Sequence, residues 1–354
     1  MVNLTSFLIS SAPELNNLIG KFIYDVLYQG IGNFGWTVVI FTIILKVVLS
    51  PLDIWQKHTM LKNNRAMKII APELEKLKKT YANAPDVLQQ KQMELYKKNG
   101  YSMMGGCLPA LITIVIFFVV FSGFNAAVRY ENERIVYELT QKYESVVEAN
   151  PDITTEALDD EMVAAYNEEK QDWLWIKNVF MSDTYANPVP TFQKFVGRGL
   201  GQIGGTLPAE TRALPLVYSQ YDDGYNAVMK PAINSYEKDG FFDMKQWNGY
   251  FILPFISILL SIFSVKLSKA SQPAMPDQND ENAKNGQGMM KVMNWLMPIM
   301  MGIFALFYSA AFCLYMVTNS LITVIFNLVY NRIAKKKDEK WEEERLAATF
   351  KKGR

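Results

Sequence analysis

The sequence is poor in the residues that catalysis and metal binding draw on. It has one histidine, His58, which removes most His-based acid–base chemistry and most zinc sites from consideration. It has two cysteines, Cys107 and Cys313. Both sit inside apolar runs without metal-ligand spacing, so they read as small core residues. There is no GxSxG, no P-loop and no HExxH, and no pair of carboxylates inside an apolar run. An enzyme is not expected, and neither a cofactor nor a metal is implied. A proton-coupled transporter would normally carry an Asp, Glu or His at membrane depth; here the ionisable group at that depth is a lysine. The start of the chain lacks the basic opening and long apolar run of a usual signal peptide.

What is present is apolar and blockwise. Half of the 354 residues are hydrophobic, with 18 Met. Mean hydropathy is nevertheless +0.01, because very apolar and very polar blocks alternate. That pattern belongs to an all-α polytopic membrane protein with sizeable soluble parts. A span needs about 20 apolar residues, and five candidates satisfy this: residues 34–54, 103–123, 250–267, 292–309 and 311–331. The last two share one apolar run, with Ser309-Ala310-Ala311 as the expected turn.

Charge sets the orientation. Residues 55–102 and the tail 332–354 are rich in lysine and read as cytoplasmic by the positive-inside rule. Residues 124–249 are acidic and read as an extracytoplasmic insertion, with an interfacial aromatic patch at Trp173-Leu174-Trp175. Five spans then place the N-terminus outside and the C-terminus inside. Residues 1–33 carry Leu15, Leu18, Ile19, Phe22, Ile23 and Val26 at helical spacing. They form either an amphipathic helix on the membrane surface or a short helix packed on the protein itself. Residues 55–102 form a helical hairpin. Leu61, Met67, Ile70, Leu74, Leu77 and Tyr81 supply one apolar stripe, and Val87, Leu88, Met93, Leu95 and Tyr96 the other. Tyr81 to Pro85 is the turn, and Pro72 is expected to kink or interrupt the first arm. Residues 268–291 form a polar cytoplasmic loop, and Gly197 to Gly205 a glycine-rich one.

The most conspicuous residue is Lys46, inside the first apolar run. A charge at that depth costs ~2.5–3.5 kcal/mol or more on insertion scales, and with about ten residues on either side it is not expected to snorkel out. Thr42 and Ser50 share its helical face, with Asp53 near the inner border. The last run carries Tyr315, Thr318, Asn319 and Thr323, with Asn327 below them, and the second run adds Thr113. These stripes either line a hydrated groove open to the cytoplasm or act as hydrogen-bonding glue between helices. With no carboxylate inside the spans, Lys46 is expected to be hydrated and unpaired.

Several stretches, in order, resemble the YidC/Oxa membrane protein insertases. They are Leu45-Lys46-Val47-Val48-Leu49-Ser50-Pro51-Leu52, Met67 to Leu74, Leu95 to Gly100 followed by Gly105-Gly106-Cys107-Leu108-Pro109, Trp295 to Pro298, and Leu314 to Ser320. The resemblance implies a five-helix core with a hydrophilic groove open to cytoplasm and lipid. It implies a nucleotide-independent insertase or chaperone that passes nascent membrane proteins into the lipid bilayer. Lys46, Thr42, Ser50, Thr113, Tyr315, Thr318, Asn319 and Thr323 would line the groove. Ile114, Phe117 and Met316 would form an apolar slide, and Pro72, Leu74 and Leu77 belong to the hairpin. Candidate partners are the ribosome, through the basic hairpin and tail, and the Sec translocon. The family's groove residue is usually arginine, and its loop between the second and third spans is usually short; both differ here. A small-solute transporter or channel using the same cavity is the alternative, and an extracellular binding module on a membrane anchor is a third reading.

Overall fold

The computed structural model describes residues 12–101, 103–197, 215–240, 242–269, 303 and 305–352, without the side chains of 103–111, 113, 114, 117, 215–220, 268, 269 and 349–352. Among them the structure is helical, with a single isolated bridge from Trp173 to Ile176. The helices are α1 (Leu18–Lys21), continuing through a π-helix (Phe22–Tyr28) into α2 (Gln29–Ile31), then α3 (Phe34–Thr80), α4 (Pro85–Lys98), α5 (Met103–Ala149), α6 (Thr155–Glu169), α7 (Phe192–Phe195), α8 (Pro215–Ser235), α9 (Ile252–Lys269) and α10 (Ala310–Lys352). Two of them, α3 and α10, are long and apolar enough to cross a membrane, and Ile252–Leu267 is a shorter apolar helix. The polar loop 270–291, the fourth apolar run up to residue 302 and most of the glycine-rich stretch lie outside the described residues.

Helix α3 starts where Asn33 caps it: the Asn33 Oδ1 accepts from Trp36 N at 3.1 Å. It then runs without a break through Pro51 and Pro72, so the interruption expected at Pro72 is not present. At Pro51 the reason is local. Proline cannot donate to the carbonyl four residues back, which is Val47 O, and the Ser50 hydroxyl donates to that oxygen instead, at 2.8 Å. The helix ends with Lys78 and Lys79 in its last turn, suitably charged for a C-terminus. Pro85 then opens α4, as expected.

The chain divides into two compact units. One holds residues 43–117, 258–300 and 319–354, and its hairpin has a real core. Met67, Ile70, Leu74 and Leu95 are buried together, flanked by Leu77, Tyr96 and Tyr101. Val87 and Met93, expected in that core, are exposed; Leu88 and Leu95 share one face of α4, and Val87 and Met93 fall to either side of it. Pro72 is exposed. Leu74→Ala should cost ~2–5 kcal/mol locally. Hydrogen exchange would show it as faster opening of 64–98, with the rest of the protein unchanged.

The tail is not simply basic. It continues α10 as a helix, and Asp338 and Glu342 turn toward the first arm of the hairpin. Arg65 Nε reaches Asp338 Oδ1 at 3.1 Å, and Lys68 Nζ bridges Asp338 Oδ2 and Glu342 Oε1, each at 2.7 Å. The Arg65 guanidinium also lies over the Trp341 ring, 5.4 Å from its centroid. Burial raises the Asp338 carboxyl, but hydrogen bonds from Lys68 and Arg65 outweigh this and hold it below its ordinary value. The clasp is therefore present at neutral pH and weakens as pH falls through that lowered value. Each exposed pair contributes only ~0.2–1 kcal/mol.

The other unit holds residues 1–42, 118–257 and 301–318. The N-terminal helix packs on the protein: Leu15, Tyr24 and Ala126 form a small core with Tyr28 and Tyr130. Gly123 permits this, since a Cβ there would collide with Ile19. Leu18, Phe22 and Val26 nonetheless face outward, so the helix has an inward and an outward apolar face. In the inserted segment, α6 and α8 pack through Met162, Tyr166, Tyr225, Val228 and Met229, all buried. Residues 171–183 hold the starts of three long helices. Gln171 Oε1 accepts from Phe34 N at 3.3 Å. The Asp183 carboxylate accepts from Tyr250 N and Leu253 N, both at 2.7 Å. Met181 O and Val179 O accept from Ala310 N and Ala311 N, both at 2.8 Å. The break before α10 falls at Tyr308 and Ser309; Ala310 and Ala311, expected in the turn, already belong to α10.

Candidate functional site

Lys46 is not unpaired. Its Nζ lies 3.3 Å from Asp53 Oδ2, and the two side chains are 17% and 24% exposed. Seven residues of helix span about 10.5 Å. A fully extended lysine reaching toward the inner end can meet an aspartate leaning back toward the N-terminus. Lys46 thus snorkels along its own helix, which corrects the expectation of a hydrated lysine without a partner. Asp53 is shared: it also opposes the effect of burial on Lys57, whose ammonium is pushed below its ordinary value.

Three of the hydroxyls expected to line a groove have their protons committed. Thr42 is buried and donates to Val38 O at 2.7 Å. Ser50 donates to Val47 O, and Thr323 donates to Asn319 O at 2.7 Å. Each bonds its own helix, a common arrangement for Ser and Thr away from water. The hydroxyls keep acceptor capacity but offer no free donor, which leaves the Lys46 ammonium as the strong donor of the α3 stripe. On α10, Tyr315, Thr318, Asn319 and Thr323 are all half-buried, and the Tyr315 ring stacks on Phe312 at 6.2 Å. Asn327 is 1% exposed, and its side-chain carbonyl has no hydrogen-bond partner.

Beside its polar stripe, α3 is apolar and open. Ile40, Ile44, Val47 and Val48 are exposed; Ile44 and Val48 lie roughly half a turn away from Lys46, and Ile40 and Val47 about a third of a turn. The exposed apolar residues of α5 are Ile112, Val115, Phe118 and Val119, and those of α10 include Leu321, Ile325 and Val329. Met316, expected on the slide, is 5% exposed and is packed inside its own unit. The side chains of Thr113, Ile114, Phe117 and Cys107 lie outside the described residues.

A second charged site was missed by sequence reasoning. Glu131 is fully buried and takes both nitrogens of Arg134, Nη2 at 2.8 Å and Nε at 2.9 Å. Arg134 also reaches Glu169 at 2.9 Å. Gln171 Nε2 donates to the Tyr28 hydroxyl at 2.6 Å and to Glu131 Oε1 at 3.3 Å. Burial first, and then the negative charge of Glu131, hold the Tyr24 phenol far above its ordinary value and push Tyr28 up to about 12. Both phenols stay protonated at any physiological pH. The signal available in the sequence was Glu131 and Arg134 at i,i+3, with Arg134 one of few cations in an acidic segment.

The family model described as 60Kd inner membrane protein matches residues 26–338. Several curated relatives are each called membrane protein insertase YidC. The one from Helicobacter pylori strain J99 is 37% identical over 112 residues, 32% of this chain and 20% of the relative. That from Fusobacterium nucleatum is 40% identical over 108 residues, 30% of this chain and 51% of the relative. That from Caulobacter vibrioides is 41% identical over 99 residues, 28% of this chain and 15% of the relative. The matched stretch thus spans about half or less of the relatives' own length.

Proposed function

We propose, from the premise that the chain belongs to the 60Kd inner membrane protein family, the YidC/Oxa insertases, that it inserts hydrophobic segments of newly made proteins into the lipid bilayer. The observation that carries this reading is the Lys46–Asp53 pair on a helix otherwise apolar enough to span. Lipid supplies no counter-charge, so a helix with one charged stripe and one exposed apolar face suits a border between a hydrated groove and the bilayer. Five spans, with the hairpin and tail in the cytoplasm and residues 124–249 outside, fit the distribution of charge. Nascent chains enter from the cytoplasm. Their acidic or polar ends compete with Asp53 for Lys46, and their apolar segments leave along the exposed faces of α3, α5 and α10. Asn319, Thr323 and the unpaired Asn327 carbonyl belong to the hydrated side. Burial of about 20 apolar residues supplies the free energy, so no nucleotide is needed. The ribosome and the Sec translocon are the partners proposed, through exposed hairpin lysines such as Lys76 and Lys97.

Photo-crosslinkers at positions 46, 115 and 319, probed with stalled nascent membrane proteins in proteoliposomes, test the reading. Crosslinks at all three, with insertion that needs no nucleotide, are expected. Solute flux without crosslinks would instead establish the transporter alternative, which the family match leaves without support.

A further inference from the structure

The cytoplasmic end of α3 carries a cavity of ≈ 320 Å³ that the insertion mechanism does not use. His58, Lys62 and Arg65 line it along one face of the helix, and Asn99 and Trp341 of α10 belong to its lining. Its lining contains cations and no carboxylate. Arg65 is held in place from behind by Asp338 Oδ1 and by Lys337 O at 2.8 Å. Asp338 and Glu342 are engaged by Arg65 and Lys68. Neither Lys62 nor His58 has a hydrogen-bond or ion-pair partner among the described residues. The remaining wall is apolar, formed by Leu61, Ala66 and the exposed Ile69.

Depth suggests what fills it. Ile54 and Trp55 are both exposed and mark the inner border of the first span, where tryptophan is favoured. At about 1.5 Å per residue, His58 lies ~6 Å and Lys62 ~12 Å beyond Ile54. The headgroup region of a leaflet is ~5–8 Å deep, and a lysine stem can reach back into it. We infer that this cavity binds the phosphate of an anionic phospholipid headgroup, with Lys62 as the cationic contact and His58 at the upper rim; Arg65, ~16 Å beyond Ile54 and held by Asp338 and Lys337 O, lines the deeper part. The shared ligand chemistry is a phosphate anion, which a soluble phosphate also offers. The glycerol and acyl parts of a lipid would lie against the apolar wall and the exposed Ile54–Trp55 edge. The inference rests on the membrane topology proposed above.

His58 is the chain's one histidine, so ¹³Cε1-histidine labelling gives a single resonance at the cavity. The full chain, with any affinity tag removed, is placed in phosphatidylcholine nanodiscs, and the signal is followed as phosphatidylglycerol replaces part of the lipid. A saturable shift is expected. Lys62→Gln should weaken the apparent affinity about tenfold, as loss of one charge-assisted contact does, and Lys62→Arg should preserve it. Lys79→Gln, which removes an equal charge from the exposed far end of α3, should change nothing. Inorganic phosphate added to phosphatidylcholine nanodiscs should leave the signal in place. No shift, a linear unsaturable shift, or equal weakening by Lys62→Gln and Lys79→Gln would overturn the site. A response to inorganic phosphate as strong as that to lipid would overturn the headgroup assignment. The measurement reads binding alone, so a failed insertion assay and a failed binding assay are separate results.

Discussion

Lys46→Ala is expected to slow insertion of single-span substrates with an acidic translocated end by about ten- to a hundredfold. A hydrogen bond to a charged group contributes ~1.5–3 kcal/mol, and each ~1.4 kcal/mol is a factor of ten. Substrates with a neutral end should lose less than about twofold, because they never paired with the ammonium. Lys46→Arg should remain active, since the charge is kept and the guanidinium still reaches Asp53. The pair found in the structure adds a sharper variant. If Lys46 only neutralises Asp53, then Lys46→Ala combined with Asp53→Asn should restore insertion, because no unpaired carboxylate is left in the span. If Lys46 receives the substrate, the double variant should stay as defective as Lys46→Ala. Asp53→Asn alone should then insert acidic-ended substrates at least as fast as the wild type, having lost the internal competitor. Reconstituted proteoliposomes and protease protection measure all four. Restoration by the double variant would sink the electrostatic role.

The contrast at Lys46 shows where sequence reading stops. The helix, its apolar length and the polar stripe of Thr42, Lys46, Ser50 and Asp53 were legible, since each follows from composition and a period of 3.6. The pair was not, because neighbour rules cover i,i+3 and i,i+4, while Lys46 reaches Asp53 at i+7 only in a fully extended rotamer. Ser50 was seen as a groove hydroxyl. In the structure it serves the carbonyl that Pro51 cannot, a role its position beside a proline announces. The hairpin was read from its stripes, and Met67, Ile70, Leu74 and Leu95 form its core. Val87 and Met93 do not join it, since they lie off the face of α4 that Leu88 and Leu95 share. The tail was read by its lysines. Asp338 and Glu342 lie four residues apart on one face, but which lysine and arginine they meet depends on tertiary packing. The least legible part was the inserted segment. Its backbone acceptors for α9 and α10 come from residues 171–183 through loop geometry, and no sequence period encodes that.

Glu131→Ala is expected to destabilise the inserted segment by ~3–5 kcal/mol, the usual cost of stranding one member of a buried ion pair. Arg134 would keep only Glu169, which is one-third exposed, and Gln171 would lose one of its two acceptors. Gln171 also accepts from Phe34 N at the head of α3. The segment that follows it holds the starts of α9 and α10. Loosening at Glu131 should therefore spread to residues 171–183, and limited proteolysis should cut there first. Replacing both partners separates a structural pair from a merely buried one. Apolar residues of similar volume in place of a buried pair are often neutral or stabilising. Glu131→Leu with Arg134→Met should thus recover most of the lost thermal stability while Glu131→Ala does not. If the single and double variants melt together, the pair does not hold this region. If both are intact but insertion falls, the acidic side chain itself acts on substrate. The expected result is recovery of both melting and insertion in the double variant, because the network's work is to fix where three apolar helices begin.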